Sequence, residues 1–528
     1  MPSPEVDLLS SATDSQIRTE LVGDGVLIAT IDMPGRSMNV FSVALMDALD
    51  SLMDQVDSDE AIRAVVLTSA KTSFLAGADL SMVKGFTDSA RTLDEPQMIA
   101  LCGRLGRLFV RLEGAEKPYV AAVNGLALGG GLELAMACRA RIVVDDVKTQ
   151  LGLPEVRWGL LPGAGGTQRL PRLAGFEAGL SLLLTGRSMS PQEAVERGVF
   201  ASAVPEHQLM GTARALAAAL RGSLYSPANK FPFLSQLDVP VRTPEVVREL
   251  ARSNGVSDAD FTAYPAYETI IDCVLLGARQ ALPEASATEM QQFLRLMFDP
   301  VAGNMIRALF LNRQRADRQL SAPRDLKIEE LRHGTWSAGY APWTEALARS
   351  RLTVVIDKSL PADTIALRDS RGLKHTVAAR TLDTGGDISG NEAGRAVLTP
   401  MGQRGRVLEI IAASTATAQA LAALAPHLGA ALPYRSGDTE SVLRRLQDAA
   451  ARSLDEQAER ALLLLDSGAA PDAATLDVAA CAAEIIPACT GGPLSYLWQH
   501  QNRMLPMMAA PARAAWERRH AALAEVFA

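Results

Sequence analysis

Short apolar runs alternate with segments of helical periodicity along the first two hundred residues. The apolar runs predict buried strands at 26–32, 64–68, 119–123 and 142–144. Apolar side chains recur at helical spacing from 43 to 56, and helix starts are predicted after Asp79 and at Leu132. Alternating strands and helices of this kind favour an α/β fold.

The pattern becomes mainly helical after residue 205 and then changes twice more. A strand is predicted at 351–357, before a weakly patterned stretch that contains Gly385, Gly386 and Gly390. From about residue 438 the chain is rich in Ala, Leu and Arg, which favour helices. Helical spacing predicts helices at 210–220, 268–280, 287–298, 440–454 and 510–527.

Composition and charge exclude several classes of function. The 528 residues carry a net charge of −8, which does not suit nucleic acid, because phosphate binding needs a basic surface. The apolar stretch 119–138 contains Asn124, Glu133 and several glycines, which would be costly within a membrane span. The N-terminus has no basic segment typical of a signal peptide. We therefore expect a cytoplasmic protein with no membrane span.

The five cysteines are widely separated, apart from one pair at an eight-residue offset, and show no metal-ligand spacing. An odd number of cysteines in a long chain is a poor disulfide framework. We expect reduced, buried thiols and no metal.

Two glycine-containing loops are candidates for binding a developing negative charge. One is the segment 124–133 (NGLALGGGLE), in which a strand runs through three glycines into a helix that carries Glu133. Backbone N–H groups at the start of a helix can stabilise an oxyanion. The other loop is 74–79 (FLAGAD), where the N–H of Ala78 is a second candidate donor. Each loop could instead be a tight turn, and Asp79 could simply cap a helix.

A third segment, 153–170 (LPEVRWGLLPGAGGTQRL), places Glu155 in a mostly apolar setting. A carboxyl held away from water keeps its proton more readily, so it could act as an acid near neutral pH. A surface salt bridge or a helix cap is the alternative interpretation of Glu155 alone.

Together, these three segments closely resemble the crotonase, or enoyl-CoA hydratase/isomerase, superfamily over about residues 20 to 205. The resemblance implies that the N–H groups of Ala78 and Gly130 polarise the thioester carbonyl. It also implies that Glu133 activates water, that Glu155 exchanges a proton at the α-carbon, and that Gly163 places the water. Both glutamates are present, which favours a hydratase. Leu132 stands where many hydratases have Cys, a change we expect to be minor.

The resemblance extends to the loop that lies along CoA in this family, here 35–39 (GRSMN). From it, and from the neighbouring loop 74–79, we expect CoA contacts. Either Arg36 or Lys84 could meet the CoA phosphates, although a solvated surface charge is the simpler interpretation of each. The predicted CoA-binding residues are Arg36, Ser37, Asn39, Ala76 and Asp79.

The second half resembles parts of multifunctional fatty-acid oxidation enzymes, in which a 3-hydroxyacyl-CoA dehydrogenase follows the hydratase. The segments 264–269 and 305–316 resemble the junction, and 406–411 and 490–496, with Asp477 upstream, resemble pieces of the dehydrogenase. However, 358–363 (KSLPAD) lacks the G-x-G-x-x-G loop that would hold a dinucleotide. No histidine lies in 394–400, ahead of Glu409. We expect that NAD binding is lost and that Glu409 is a structural relic.

The predicted architecture has four parts. Residues 1–205 form a crotonase-type ββα spiral core, and 206–322 a helical extension with a linker helix. Residues 323–430 form a small, degenerate α/β region like a dinucleotide domain, and 431–528 an all-α domain like the C-terminal part of a dehydrogenase.

The predicted function is hydration of 2-enoyl-CoA, with no cofactor beyond the CoA of the substrate. One alternative is a Δ3-Δ2-enoyl-CoA isomerase, since the same oxyanion hole serves both reactions. The other is a non-catalytic acyl-CoA-binding or scaffold subunit of a fatty-acid oxidation complex. Acyl chain length, homo-oligomerisation and a thiolase partner are left open.

Overall fold

The computed structural model describes residues 16–221, 239–319 and most of 326–527. Within the last range it leaves out 335–346, 348–351, 357–358, 361–363, 372, 382–394, 399–405, 412–413, 429, 437–440 and 451–452. The chain divides into two compact units between Ala302 and Gly303. The predicted boundaries at 205, 322 and 430 are a finer division and stay predictions.

The first unit alternates strands and helices, as the sequence pattern predicts. Four predicted strands are found within two residues of their expected bounds. The elements are β1 (Ile17–Val22), β2 (Val26–Ile31), α1 (Val43–Ser58), β3 (Ala64–Ser69), α2 (Leu80–Ser89), α3 (Glu95–Cys102), α4 (Arg104–Gly114), β4 (Tyr119–Val123), β5 (Ala127–Leu128), α5 (Gly130–Ala137), β6 (Ala140–Val144), β7 (Leu151–Gly152), a 3₁₀ turn (Glu155–Trp158), α6 (Gly166–Ala174), α7 (Phe176–Thr185), β8 (Ser188–Met189), α8 (Pro191–Glu196), β9 (Ser202–Val204) and α9 (Glu206–Ala219).

A six-stranded sheet in the order β1-β2-β3-β4-β6-β9 forms the centre of this unit. Only β1 pairs antiparallel; the other neighbours are parallel. Every residue of β3 and β4 is buried, as expected for parallel strands covered on both faces. Helix α9 covers one face, with Leu209, Ala213 and Ala217 in the same apolar cluster as the sheet.

A second, three-stranded sheet in the order β5-β7-β8 positions the candidate site. Strand β5 leads directly into Gly129 and α5, and its parallel neighbour β7 leads into the turn that begins at Glu155. Because both strands end at the same edge, Glu133 on α5 and Glu155 are brought together. The predicted α/β core is therefore confirmed.

Further helices complete the first unit after the described chain resumes at 239. They are α10 (Pro244–Ser253), α11 (Asp258–Ala263), α12 (Ala266–Gly277) and α13 (Leu282–Phe298), which matches the helical character predicted after 205. On α13, buried Ala285, Glu289, Phe293 and Leu296 share one face. A single carboxyl thus lies within an otherwise apolar stripe.

The second unit contains a mixed sheet and several helices. The chain first forms α14 (Pro300–Ile306), a π-helical turn (Arg307–Leu311) and α15 (Asn312–Gln319). The elements that come after them are β10 (Ile328–His333), β11 (Thr353–Ile356), β12 (Thr364–Asp369), β13 (Lys374–Thr381), β14 (Arg395–Leu398), β15 (Arg406–Ile411), α16 (Thr415–Leu424), a 3₁₀ turn (Ala425–Leu428), β16 (Ala430–Ser436), α17 (Val442–Ala450), α18 (Leu454–Asp466), α19 (Ala473–Ala482), a 3₁₀ turn (Ala488–Thr490), α20 (Pro493–Met504) and α21 (Ala510–Phe527). The C-terminal helical region is as predicted.

The seven strands of this second sheet lie in the order β11-β10-β12-β13-β14-β15-β16. Three of the neighbouring pairs are parallel (β10–β11, β13–β14, β15–β16) and the other three are antiparallel. A doubly wound dinucleotide domain has a mostly parallel sheet. Strand direction therefore gives no independent support to a dinucleotide-domain origin, which stays a prediction. Gly385, Gly386 and Gly390, and most of 357–363, lie outside the described residues.

No helix in the described ranges is both long enough and apolar enough to cross a membrane.

Candidate active site

The two glycine-containing loops predicted from the sequence lie side by side. An isolated bridge joins Leu75 to Ala127, and the N–H of Leu128 donates to Leu75 O at 3.0 Å. A Cβ at Gly131 would lie 2.3 Å from Leu75 O, so this close approach of the two backbones requires glycine. The loops are thereby locked together at the start of α5.

The N–H groups of Ala78 and Gly130 are available to a ligand. Phe41 pairs with the backbone on either side of Ala78, through Phe41 N–H to Gly77 O at 2.8 Å and Asp79 N–H to Phe41 O at 3.0 Å. Gly130 opens α5, where the first N–H groups have no partner within the helix. Among the described residues, neither N–H donates a hydrogen bond. Two such donors on adjoining loops could hold one oxyanion.

Glu133 lies on the first turn of α5 and is 2% exposed. Its Oε1 accepts the N–H groups of Ala164 at 2.9 Å and Gly166 at 2.8 Å. The pKa of Glu133 is raised overall, because the effect of burial exceeds the lowering by these two bonds and by the positive charge of Arg169. Such partners stabilise the carboxylate form.

Glu155 begins the turn after β7, in a different environment. Its Oε2 is buried and has no hydrogen-bond partner among the described residues. Burial raises the pKa of Glu155 well above its ordinary value, and the negative charges of Glu133 and Glu289 raise it further. Gly129 takes a positive φ of 51° here, and a Cβ on it would lie 2.3 Å from Glu155 Oε1. The protonated form of Glu155 is therefore favoured.

Gly163 is the first residue of the 163–167 loop, whose Ala164 and Gly166 donate to Glu133. Its N–H donates no hydrogen bond within the described ranges, and a Cβ at this position would lie 2.7 Å from the Phe293 ring. The free donor at Gly163 is compatible with the water-positioning role predicted for it.

Sequence reasoning missed Glu289 on α13, which is 1% exposed. Its Oε1 accepts Gly165 N–H at 2.6 Å, and its Oε2 accepts both Thr167 N–H, at 3.0 Å, and the Thr167 hydroxyl. A signal existed in the sequence, because Glu289 interrupts an apolar stripe at helical spacing with Ala285 and Phe293.

Arg169 and Glu113 form a second buried polar contact that the sequence analysis missed. Arg169 Nη2 donates to Glu113 Oε2 at 3.1 Å, and Nη1 donates to Ala164 O at 2.8 Å. The two side chains are 0% and 3% exposed. This pair holds the 163–167 loop through the carbonyl of Ala164.

Comparison with known proteins identifies this part of the chain. Residues 23–231 match the family model described as enoyl-CoA hydratase/isomerase. Residues 23–231 are thus a domain of the enoyl-CoA hydratase/isomerase family. Ala78, Gly130, Glu133, Glu155 and Gly163 of the candidate site all lie within the matched residues of this hydratase/isomerase domain.

Similar full-length proteins are considerably longer than this chain. The fatty acid oxidation complex subunit alpha of Idiomarina loihiensis is 36% identical over 291 residues, which are 54% of this chain and 40% of that protein. The protein of the same name from Shewanella amazonensis is 35% identical over 347 residues, 64% of this chain and 48% of that protein. The chain therefore spans less than half the length of these relatives.

A solved enoyl-CoA hydratase from Bacillus anthracis is 26% identical and covers 58% of this chain and 96% of its own. Its TM-score of 0.35 is too low for a comparison of the sites.

The predicted CoA-binding residues of the hydratase/isomerase domain fall into two groups. Arg36 and Asp79 form an ion pair at 3.1 Å, Asp79 also caps α2 through Ser81 N–H at 2.9 Å, and Ser37 is exposed beside them. Asn39 is buried, and its side-chain N–H groups donate to Ile31 O, Ser69 Oγ and Phe74 O. Its backbone carbonyl accepts the N–H of Ala76. These groups of Asn39 and Ala76 are thus engaged within the protein. Lys84 pairs with Asp88 on α2.

Two candidate residues of the second unit have structural partners. Glu409 is fully buried, and its carboxylate accepts Val442 N–H at 2.7 Å and Ser441 Oγ–H at 2.5 Å, which caps α17. Asp477 on α19 accepts the N–H groups of Leu494 at 2.8 Å and Ser495 at 2.9 Å at the start of α20. Both carboxyls hold helix starts.

Proposed function

We propose that the hydratase/isomerase domain adds water reversibly to trans-2-enoyl-CoA to give 3-hydroxyacyl-CoA. The observation that carries this proposal is a pair of neighbouring glutamates in different environments. Glu133 is supplied with hydrogen-bond donors, whereas Glu155 has an unpartnered oxygen and negative neighbours. Two carboxyls whose surroundings separate their protonation states can serve as base and acid in one reaction.

The chemistry follows from those two states. Ionised Glu133 accepts a proton from water, and the oxygen of that water bonds to the β-carbon. Negative charge then builds on the thioester oxygen, where the N–H groups of Ala78 and Gly130 stabilise it. Protonated Glu155 delivers its proton to the α-carbon. Gly163 N–H holds the water during attack.

Two alternative functions receive less support. A Δ3-Δ2-enoyl-CoA isomerase needs one carboxyl to move a proton between carbons, and the second buried glutamate would have no task. A non-catalytic scaffold would have no use for the buried, unpartnered oxygen of Glu155, since leaving such an atom unsatisfied is costly.

The relatives named as fatty acid oxidation complex subunit alpha support two extensions of the proposal. The first is that the acyl-CoA substrates come from fatty-acid oxidation. The second is that the chain assembles with a thiolase or with further copies of itself.

The test follows the loss of enoyl absorbance with crotonyl-CoA and with a medium-chain 2-enoyl-CoA. Wild type should hydrate at least one of them, and Glu133→Gln and Glu155→Gln should each lower kcat at least about 100-fold. Glu60→Gln, at an exposed position, is the matched control and should keep full activity. Binding of both thioesters by wild type without hydration would overturn the proposal, and a 3-enoyl-CoA would then test the isomerase.

A further inference from the structure

Four consecutive backbone N–H groups are divided between two buried carboxyls. Those of Ala164 and Gly166 donate to Glu133, whereas those of Gly165 and Thr167 donate to Glu289. Glu133 and Glu289 thus accept hydrogen bonds from alternate backbone amides of the same loop. A change in the position of Glu289 should therefore also move the two N–H groups that donate to Glu133.

The helix that carries Glu289 also reaches the loop with an apolar side chain. Phe293, one turn further along α13, packs where a Cβ on Gly163 would lie. A buried carboxyl costs free energy that an apolar residue at the same position of the stripe would not. Because Glu289 accepts three hydrogen bonds from the site loop, its carboxyl is a candidate for a task at the site.

Building on the proposed hydration, we propose that Glu289 is a positioning residue for Glu133 and Glu155. It fixes Gly165 and Thr167 so that Ala164 and Gly166 keep Glu133 in place, and once ionised it favours the protonated form of Glu155. Glu289 itself need not touch the substrate.

The electrostatics of the cluster agree with this role. Burial and the negative charge of Glu133 raise the pKa of Glu289 to about 8, so Glu289 is charged mainly above that pH, and there its charge contributes to the raised pKa of Glu155. Removing the charge should therefore lower the pKa of Glu155. The titratable or charged groups that act on Glu289, or on which it acts, are Glu133, Glu155, Arg169, Arg172 and Cys273.

The experiment compares the pH dependence of kcat for the full-length wild type, Glu289→Gln and Glu289→Asp. The Gln variant keeps the shape but loses the charge and one of the two acceptor oxygens, so kcat should fall and the basic limb of its profile should move down by about one pH unit. The Asp variant keeps the charge but shortens the side chain, so kcat should fall with the basic limb in place. Asp272→Asn is the control: this carboxyl is also buried, but it pairs with Arg242. Its profile should match that of wild type.

A second readout needs no substrate. In protein with ¹³C-labelled glutamate carboxyls, the Glu155 signal, identified by its loss in Glu155→Gln, should titrate at lower pH in Glu289→Gln. If wild type hydrates no thioester, the proposed function fails, but this titration still tests the coupling.

An unchanged basic limb together with an unchanged Glu155 titration in Glu289→Gln would overturn the proposal, whatever the melting temperature. If the Gln variant does not fold, the Asp variant decides, and a wild-type kcat there would exclude a positioning role.

Discussion

Individual buried residues determine whether the site loop stays in place, and the Arg169–Glu113 pair shows this most directly. Arg169→Met removes the buried cation that pairs with the Glu113 carboxylate. We expect the first unit to lose about 3–5 kcal/mol of unfolding free energy, the usual cost of breaking a buried ion pair from one side. Denaturant unfolding followed by circular dichroism measures this loss.

The double variant Arg169→Met/Glu113→Leu provides the control for that prediction. Replacing both members of a buried pair by apolar residues is often close to neutral, so most of the lost stability should return. Activity should stay low, because the bond to Ala164 O is still missing. A double variant as unstable as the single one would contradict this account.

At this residue scale the sequence predicts the candidate catalytic residues better than the residues that hold them in position. The site residues Ala78, Gly130, Glu133 and Glu155 lie in short motifs, and the folded chain brings them to one edge of a small sheet. Glu289 lies 124 residues from Gly165, and a partner so distant leaves no trace in local spacing. The apolar stripe around Glu289 signals only that its carboxyl is buried.

At the scale of secondary-structure elements, a side chain of one helix can stabilise the start of the next helix. Asp477 on α19 accepts two N–H groups at the start of α20, and burial raises its pKa to about 8. A raised pKa means that the folded state holds the proton more tightly than the unfolded chain. The stability that Asp477 contributes is therefore complete below about pH 4 and lost as pH rises through 8.

Asp477→Asn tests this linkage in unfolding experiments at pH 5, 6.5 and 8. The advantage of wild type over the variant should shrink with rising pH, by at most about 1.4 kcal/mol per pH unit. Asp455→Asn is the control, since hydrogen bonding to Arg503 lowers the pKa of Asp455 and its contribution should stay constant over this range. An advantage that grows with pH at Asp477 would show that α20 favours the carboxylate.

The sequence predicts individual helices and strands well where their periodicity is strong. It does not predict which strands pair with one another. The strand at 351–357 and the helix at 510–527 are found, as β11 and α21. The sheet order of the second unit joins strands across residues 328 to 436, which is a matter of non-local contacts. A local pattern gives the type of an element but not its neighbour, so the mixed directions of this sheet could not be foreseen.

The whole chain combines a domain that carries the candidate site with a second unit in which the carboxyls of Glu409 and Asp477 hold helix starts. Glu409, the residue that resembles a dehydrogenase glutamate, has its carboxylate engaged with Ser441 and Val442 at the start of α17. The sequence at 358–363 lacks the glycines that let a backbone approach a pyrophosphate. Both observations bear on the fate of the hydration product.

We expect the full-length protein to form 3-hydroxyacyl-CoA from crotonyl-CoA but no NADH when NAD is then added. Absorbance at 340 nm measures this directly. Adding a competent 3-hydroxyacyl-CoA dehydrogenase to the same cuvette is the control, and NADH should then appear in proportion to the enoyl-CoA consumed. Titration of NAD against the protein should likewise give no saturable binding. NADH formed before that addition, and abolished by Glu409→Gln, would mean that Glu409 does more than cap α17 and that the second unit is an active dehydrogenase.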